Sequence, residues 1–406
     1  MKDSGISWVG EIPKEWSVNR AKYCFVNTKE IAGCMSDRYE RLALTMNGVI
    51  KRSKDDSNGL QPEKFETYQI LRPDELVFKL IDLQNVSTSR VGLSPYLGLV
   101  SPAYIILKSN KRVLPAFAEK YFLMLWKNQI FNALGDAGVR SNLNSKDLLE
   151  LSIPFPPLAE QQRIAEFLDR ECGKIDGLKA DIQAQIDTLE QYKRSVITEA
   201  VTHGLNPSAP MKDSGIPWVG KTPEYWKVGR IGGLYELRNQ KVSDKDFMPL
   251  SVTMKGVLPQ LETAAKTNDG DNRKLVRVGD FAINSRSDRR GSCGISDYDG
   301  SVSLINTILK PRNRMNAKYY NWLFHTPMFA DEFYKWGHGI VDDLWTTNWS
   351  EMKRISIPLP PLDEQQEIAD YLDNKCAEIE QTIADKKSQI ETLDGYKKSL
   401  IYEYVT

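Results

Sequence analysis

The chain has 406 residues, of which 54 are basic, 54 are acidic and 41% are hydrophobic. This length predicts two sizeable domains, each able to bury its own core. The mean hydropathy of -0.44 and the lack of any stretch near the roughly 18 to 20 apolar residues of a membrane span exclude an integral membrane protein. Without an apolar signal region or a CxxC pair, we expect a reducing, cytoplasmic location. Three scattered histidines give little support for a metal site.

The sequence contains the same pattern twice. Residues 1–18 return at 211–228 with 12 of 18 positions identical, and residues 153–169 return at 357–373 with 12 of 17 identical. Between these shared segments only fragments match, such as 42–49 with 250–257. A period of about 205 residues is far longer than that of a solenoid repeat, so it indicates a duplicated domain followed by a helix.

Four segments are predicted in chain order. Residues 1–157 form a first globular domain, 158–205 a long central helix, 206–356 a linker with a second globular domain, and 357–406 a second long helix. The expected fold class is α+β. Two mixed α/β domains stand in a pseudo-two-fold arrangement, joined by two long antiparallel helices that form a coiled coil.

The two long helices are predicted from apolar residues that recur every seven positions. A helix from Ala159 to Thr202 would be about 66 Å long, whereas a domain of this size has a radius of gyration of only about 15 Å. We therefore expect the two helices to pair, rather than each lying alone on its own domain, with Leu178 and Tyr192 beside the seam. The predicted seam residues are Leu168, Ile175, Ile182, Leu189, Val196, Leu372, Ile379, Ile383, Ile390 and Leu393.

Charge is divided between the segments. Residues 1–157 carry 21 basic and 17 acidic side chains and 211–356 carry 22 and 17, whereas 158–210 carry 6 and 9 and 357–406 carry 5 and 11. Basic globular domains favour an anionic partner and acidic helices a protein partner, although ordinary solvated surfaces would give the same modest values.

Short polar clusters in the globular domains are candidate contacts to DNA. Lys and Arg neutralise phosphates, and Arg and Asn also bind base edges. Solvated loops are the alternative for each cluster. The candidates are Lys51, Arg52, Lys54, Arg90, Arg140, Asn142, Arg273, Lys274, Arg286, Arg289 and Arg290.

Segments that resemble catalytic motifs lack the neighbouring residues and elements that those motifs require. Gly215–Thr222 fits the letters of a phosphate-binding loop, but no strand precedes it and Pro217 and Trp218 fill it. The Pro-Pro pairs at 156–157 and 360–361 lack the base-holding loop of an adenine methyltransferase. Pro73-Asp74-Glu75 with Lys79 is only a weak match to a nuclease site. We predict a protein without catalytic activity.

The sequence resembles the specificity subunit of type I restriction-modification enzymes along essentially its whole length. The resemblance rests on SGIxWxGxxPxxW, ending at Trp16 and Trp226, and on IPxPPLxEQQxIA, at 153–165 and 357–369. Asp280 and Arg286 also match the family's GD...SR pattern, from which the first half departs with Glu75 and Lys79.

The resemblance implies a non-catalytic subunit that recognises an asymmetric, bipartite DNA site. It implies two target recognition domains, and helices that set the spacer and dock two methyltransferase subunits and, through them, restriction subunits. S-adenosylmethionine, ATP and magnesium would bind those partners, and no cofactor would bind this chain. A coiled-coil adaptor or a DNA-mimicking anti-restriction protein is the alternative, but a DNA mimic needs acidic globular domains.

Repeated residues at the helix entries are candidate partner contacts, with capping and dipole compensation as their alternative. The tryptophans at 8, 16, 218 and 226 are expected to pack an N-terminal arm onto each domain rather than to stack on bases. The candidate partner-binding residues are Pro157, Glu160, Gln161, Gln162, Pro361, Glu364, Gln365 and Gln366.

Overall fold

The structure is a computed structural model that describes residues 1–56, 64–83, 89–135, 142–260, 270–286, 289–312, 315–339 and 345–406. It contains two compact units: unit 1 comprises Met1–Ile182 and Lys387–Thr406, and unit 2 comprises Gln183–Lys386. The predicted segments 1–157 and 206–356 each fall within one unit, whereas each long helix contributes to both units.

Unit 1 combines two four-stranded sheets with helices. One sheet has the order β6-β5-β10-β7 and the other β4-β11-β8-β9, and β3 pairs with β12. The strands are β1 (Lys2–Asp3), β2 (Glu11–Ile12), β3 (Ser17–Arg20), β4 (Phe25–Thr28), β5 (Arg41–Thr45), β6 (Gly48–Arg52), β7 (Gln69–Leu71), β8 (Leu76–Phe78), β9 (Val91–Leu93), β10 (Gly98–Val100), β11 (Ile105–Ser109) and β12 (Ser152–Phe155). The helices are α1 (Pro115–Lys127), α2 (Ile130–Leu134), α3 (Ser145–Glu150) and the long α4 (Leu158–His203), with 3-10 turns at Ala21–Tyr23, Gly33–Arg38 and Phe65–Thr67.

Unit 2 repeats one of these four-stranded sheets, whereas in place of the other it has a three-stranded sheet, β17-β20-β23, and a two-stranded sheet, β18-β19. The sheet β16-β24-β21-β22 matches β4-β11-β8-β9 strand for strand, and β15 pairs with β25 as β3 pairs with β12. The strands are β13 (Met211–Ile216), β14 (Gly220–Pro223), β15 (Lys227–Arg230), β16 (Tyr235–Leu237), β17 (Lys241–Val242), β18 (Leu250–Thr253), β19 (Gly256–Pro259), β20 (Arg273–Val276), β21 (Phe281–Asn284), β22 (Cys293–Ile295), β23 (Gly300–Val302), β24 (Asn306–Pro311) and β25 (Ser356–Leu359). The helices are α5 (Ile231–Leu234), α6 (Ala317–Phe324), α7 (Pro327–Lys335), α8 (Trp349–Met352) and the long α9 (Leu362–Val405).

Each core draws on both long helices. In unit 1 the sheet and α1 pack against Leu168 of α4 and Ile401 of α9. In unit 2 the corresponding core includes Val196 of α4 and Leu372 of α9. The central strands β8 and β21 are buried along their whole length, and all their residues except Asn284 are apolar, as is expected of strands covered on both faces.

The first long helix begins where the sequence predicts, whereas the second begins later than predicted. α4 starts at Leu158 and α9 at Leu362, each directly after a Pro-Pro pair, because proline fits the entry of a helix but not its interior. The predicted second helix, 357–406, therefore began too early, since residues 357–359 belong to strand β25. Across the described ranges, no helix combines the length and hydropathy needed to span a membrane.

The buried face of α4 is shifted from the predicted seam. Leu168, Ile175 and Val196 are buried, and Ile182 and Leu189 are half-buried. The prediction that Leu178 and Tyr192 lie beside the seam is wrong, since they are 54% and 48% exposed.

The buried face also includes residues that lie four positions after a predicted seam residue. Cys172, Ile186 and Ala200 are all buried and follow Leu168, Ile182 and Val196 in this way. In α9, Leu372, Ile379 and Ile383 are buried, while Ile390 and Leu393 are half-buried.

The apparent phosphate-binding loop is a β-hairpin. The expectation that no strand precedes it is wrong, because β13 (Met211–Ile216) pairs with β14 (Gly220–Pro223), with a break in register between Asp213 and Ile216. Trp218 and Thr222 are buried, and strand β15 follows rather than a helix. These residues therefore form the arm of unit 2.

Candidate nucleic-acid interface

Equivalent hairpins carry different loops in the two units. In unit 1, residues 79–90 connect Phe78 of β8 to Val91 of β9. In unit 2, residues 284–292 connect Ile283 of β21 to Cys293 of β22, a connection that is three residues shorter. The shared sheet therefore presents loops of different length and sequence at corresponding places.

The turn before each hairpin explains the GD motif. The Asp280 carboxylate accepts the Arg277 N–H at 2.9 Å, and the Glu75 carboxylate accepts the Arg72 N–H at 2.8 Å. Both carboxylates are buried. The departure of the first half from the motif therefore preserves the same turn, and these acidic groups have a structural role.

The unit 2 loop exposes Arg286, Arg289 and Arg290. The Asn284 carboxamide oxygen accepts the Arg286 N–H at 3.0 Å, and the Ser292 N–H bonds to the Arg289 carbonyl at 3.1 Å. These bonds fix the loop backbone while the arginine side chains remain accessible.

Two other predicted contacts in unit 2 face inward. Arg273 is 3% exposed, and its guanidinium donates to the side chain and the carbonyl of Ser301, both at 2.9 Å. Lys274 is half-buried, and its ammonium donates to the Asn306 carbonyl at 2.6 Å. Burial lowers the pKa of Lys274. We therefore remove both residues from the candidate interface, because groups committed to backbone carbonyls in the interior are not accessible to phosphates.

In unit 1, Lys51 is exposed, and its ammonium forms an ion pair with Glu40 at 2.6 Å. This hydrogen bond raises the pKa of Lys51. Arg52 donates to Asp56 at 2.6 Å, and Lys54 donates to the Ser36 carbonyl at 2.8 Å. The three residues lie at the end of β6 and just beyond it, so the predicted cluster exists but is largely compensated by acceptors of its own chain.

The remaining candidates of unit 1 differ in their surroundings. Arg90 is 0% exposed, and its guanidinium donates to the Asp82 carbonyl at 2.6 Å, so the prediction that it contacts DNA is corrected. Asn142 is exposed, and its side-chain oxygen accepts the Asp82 N–H at 3.0 Å. Arg140 lies outside the described residues.

Buried glutamines join each long helix to its unit. The Gln161 side chain accepts the Leu114 N–H at 2.8 Å and donates to the Pro156 carbonyl at 2.9 Å. Gln365 makes the same two bonds, with the Asn316 N–H and the Pro360 carbonyl. The prediction that these two glutamines bind a partner is corrected, because both are buried and their polar groups bind backbone.

The neighbouring glutamates hold the N-terminal arms. The Trp16 indole donates to Glu160 at 3.1 Å, and the Trp226 indole donates to Glu364 at 2.9 Å. Pro157 and Pro361 supply carbonyls to the first helical turns. Gln162 and Gln366 bond to acidic residues one turn later and stay exposed, so they remain candidates for partner contact.

Glycines at four equivalent positions were not singled out from the sequence. A Cβ at Gly98 would lie 2.6 Å from the Glu40 carbonyl, and one at Gly300 would lie 2.5 Å from the Met248 carbonyl. Gly92 and Gly294 are equally crowded, at 2.7 Å. Their common offset of 202 residues was the available signal.

The exposed side chains of the candidate interface are hydrogen-bond donors and charged groups. In the described part of the chain, no group of three or more His, Cys, Asp or Glu side chains could hold a metal ion. The accessible loops instead offer guanidinium, ammonium and amide groups, which are the donors that nucleic-acid phosphates and bases accept.

Comparison with known proteins gives one family. The family model of the type I restriction modification DNA specificity domain matches residues 81–188 and 223–392. The putative type I restriction enzyme MjaX specificity subunit of Methanocaldococcus jannaschii is 23% identical over 97% of this chain and 93% of its own length. The EcoKI specificity subunit of Escherichia coli K12 is 22% identical over 77% of this chain and 72% of its own.

Solved structures share the fold. A chain from a study of complex assembly and conformational transition of the type I R-M system aligns over 97% of this chain and 98% of its own, with a TM-score of 0.67 and 14% identity. The HsdS subunit from Thermoanaerobacter tengcongensis aligns over 100% and 99%, with a TM-score of 0.51 and 15% identity.

Proposed function

We propose, from the fact that this chain belongs to the type I restriction modification DNA specificity family, that it selects the DNA sequence modified by partner methyltransferase subunits. The observation that carries this proposal is the pair of matching sheets with unlike hairpin loops. Two equivalent scaffolds would each recognise one half-site, and their unlike loops would recognise different sequences. The target is then bipartite and asymmetric.

The candidate DNA interface consists of exposed polar side chains. In unit 2, Arg286, Arg289 and Arg290 lie between β21 and β22, and the Arg286 N–H donates to the Asn284 side chain. In unit 1 the contribution is weaker, because its cations are compensated by Glu40 and Asp56. The interface residues are Lys51, Arg52, Lys54, Asn142, Arg286, Arg289 and Arg290.

Pairing of the two long helices would set the distance between half-sites. Within unit 1, Lys179 pairs with Asp394 and Lys397 with Asp176; within unit 2, Lys193 pairs with Glu380. In each pair the two residue numbers add to 573, as an antiparallel register requires. This constant sum supports antiparallel pairing of the two helices, which would form the spacer as a coiled coil.

Exposed apolar side chains on the helices support docking of protein partners. Leu178 and Tyr396 are 54% and 58% exposed, and Tyr192 is 48% exposed. Large apolar groups of this kind favour protein contact over solvent. Two methyltransferase subunits would bind here and recruit the restriction subunits; S-adenosylmethionine, ATP and magnesium would belong to those partners.

The decisive experiment is expression of this chain with its neighbouring methyltransferase subunit, followed by methylome sequencing. We expect methylated adenines within one split, asymmetric sequence, and no such pattern when either chain is omitted. A continuous palindromic pattern, or methyl transfer by this chain alone, would contradict the proposal.

A further inference from the structure

Arg290 differs from the other exposed cations in how its side chain is held. Its guanidinium carbon lies 3.7 Å from the centroid of the Tyr334 ring, the shortest cation-to-ring distance among the described residues. A second contact joins Arg290 Nη1 to the Asp331 carboxylate at 3.3 Å. The guanidinium is thus held between the Tyr334 ring and the Asp331 carboxylate.

Both supporting residues lie on a well-anchored helix. The hydroxyl of Thr326 caps α7 by accepting the Phe329 N–H at 3.3 Å, and Phe329 and Phe333 are buried. The Tyr334 carbonyl accepts the Trp345 indole N–H at 2.8 Å. Side chains on such elements hold a binding group more closely than side chains on a free loop.

We propose that Arg290 reads a guanine in the half-site contacted by unit 2, and that Tyr334 and Asp331 are positioning residues for its guanidinium. This inference rests on the proposed function. An arginine fork matches the O6 and N7 acceptors of guanine in the major groove, and this pairing requires a defined plane and direction.

Two features favour a base over a phosphate as the ligand. Asp331 offsets the positive charge locally, which weakens attraction to the DNA backbone but leaves the other guanidinium N–H groups able to donate. The contact with the Tyr334 ring restricts the Arg290 side chain, so less conformational entropy is lost when two parallel bonds form. At 3.3 Å, the Asp331 contact is long for a charge-assisted bond and can yield to a base edge.

The test measures the base preference of the complex of this chain with its methyltransferase subunit, using a library of duplexes randomised across the target. Arg290→Ala should reduce the preference for guanine at one position of one half-site roughly 5- to 150-fold. Arg290→Gln should shift that position toward adenine, because glutamine pairs with the adenine N6 and N7 edge. Preferences in the other half-site should not change.

Variants of Tyr334 separate positioning from folding. Tyr334→Leu should weaken the guanine preference without changing which base is preferred, and Tyr334→Phe should restore it. Arg277→Ala is the matched control, because Arg277 is 44% exposed against 48% for Arg290 and pairs with Asp299 at 2.5 Å. This control should leave every preference intact.

Two results would overturn the inference while leaving the proposed function standing. One is an equal loss of affinity for all sequences in Arg290→Ala, which would identify a phosphate contact. The other is unchanged base preferences. Failure of the unaltered complex to select any sequence would instead contradict the proposed function itself.

Discussion

At the scale of residues, the space available for a Cβ atom decides where the fold requires glycine. Gly98 and Gly300 lie on equivalent strands, each facing a backbone carbonyl that cannot move aside as a side chain can. By contrast, Gly173 and Gly177 in α4 have nothing within 4 Å of a built Cβ. Packing therefore requires glycine at the two sheet positions, whereas the two helix positions have room for a Cβ atom.

We therefore expect the same substitution to have opposite signs at these two places. Gly98→Ala should lower the free energy of unfolding by about 1 to 3 kcal/mol, because the Cβ forces backbone apart. Gly173→Ala should raise it by up to about 1 kcal/mol through helix propensity. Urea unfolding followed by tryptophan fluorescence measures both, and equal effects would contradict the crowding argument.

Residue type alone did not reveal which cations are accessible. Arg90 and Arg273 stand in polar stretches like that of Arg286, yet both are buried and donate to backbone carbonyls. The difference arises from the sheet, which brings together segments distant in sequence, such as Arg273 and Ser301. Buried carbonyl partners leave no local sequence pattern.

At the scale of elements, Ile186 shows how the buried face of α4 differs from the predicted seven-residue series. Ile186 is 1% exposed although it lies four residues after the predicted Ile182. The heptad spacing and the Pro-Pro pairs predicted that both long helices exist, because apolar period and proline are local properties, although the predicted segment 357–406 also included part of strand β25. It could not predict which side of the seam is covered, since that depends on the packed neighbour.

Truncation of Ile186 should expose this difference. Ile186→Ala should cost about 2 to 5 kcal/mol of stability, because it leaves a cavity at a buried site. Leu178→Ala removes a leucine that is 54% exposed and should change stability by less than about 0.5 kcal/mol. Thermal melting of the two variants makes the comparison, and a larger loss for Leu178→Ala would refute this view of the helix face.

At the scale of the whole molecule, the duplication made the architecture predictable. Repeated segments at the arms and helix entries predicted two equivalent units, and the structure contains two units that share one four-stranded sheet of the same strand order. The loops between those segments differ, so the repeat carries no information about their contacts. The accessible arginines of unit 2 emerged only once the hairpin and α7 were placed.

The proposed spacer gives a prediction at this scale. Four residues inserted after Ala180 lengthen α4 by about 6 Å, which is close to two base pairs at about 34 Å per ten. Methylome sequencing should then find a longer unread gap between unchanged half-sites. The same insertion between Asn206 and Pro207, outside the helix, serves as control and should leave the gap unaltered.

Changed bases at an unchanged gap would refute the spacer role. They would mean that the helix acts on recognition itself, rather than on the separation of the two half-sites.

The composition of unit 1 has a consequence for biosynthesis. Its core includes Leu400, Ile401 and Val405, and the Tyr402 hydroxyl bonds to the Val9 carbonyl at 3.3 Å. Residues 387–406 are synthesised about 200 residues after residue 182. At about 5 to 20 residues per second, this separation is a delay of roughly 10 to 40 s. During that interval Leu168 and Ile175 lack their final neighbours. The nascent polypeptide therefore exposes an apolar face that chaperones can hold, while the contiguous unit 2 is completed first.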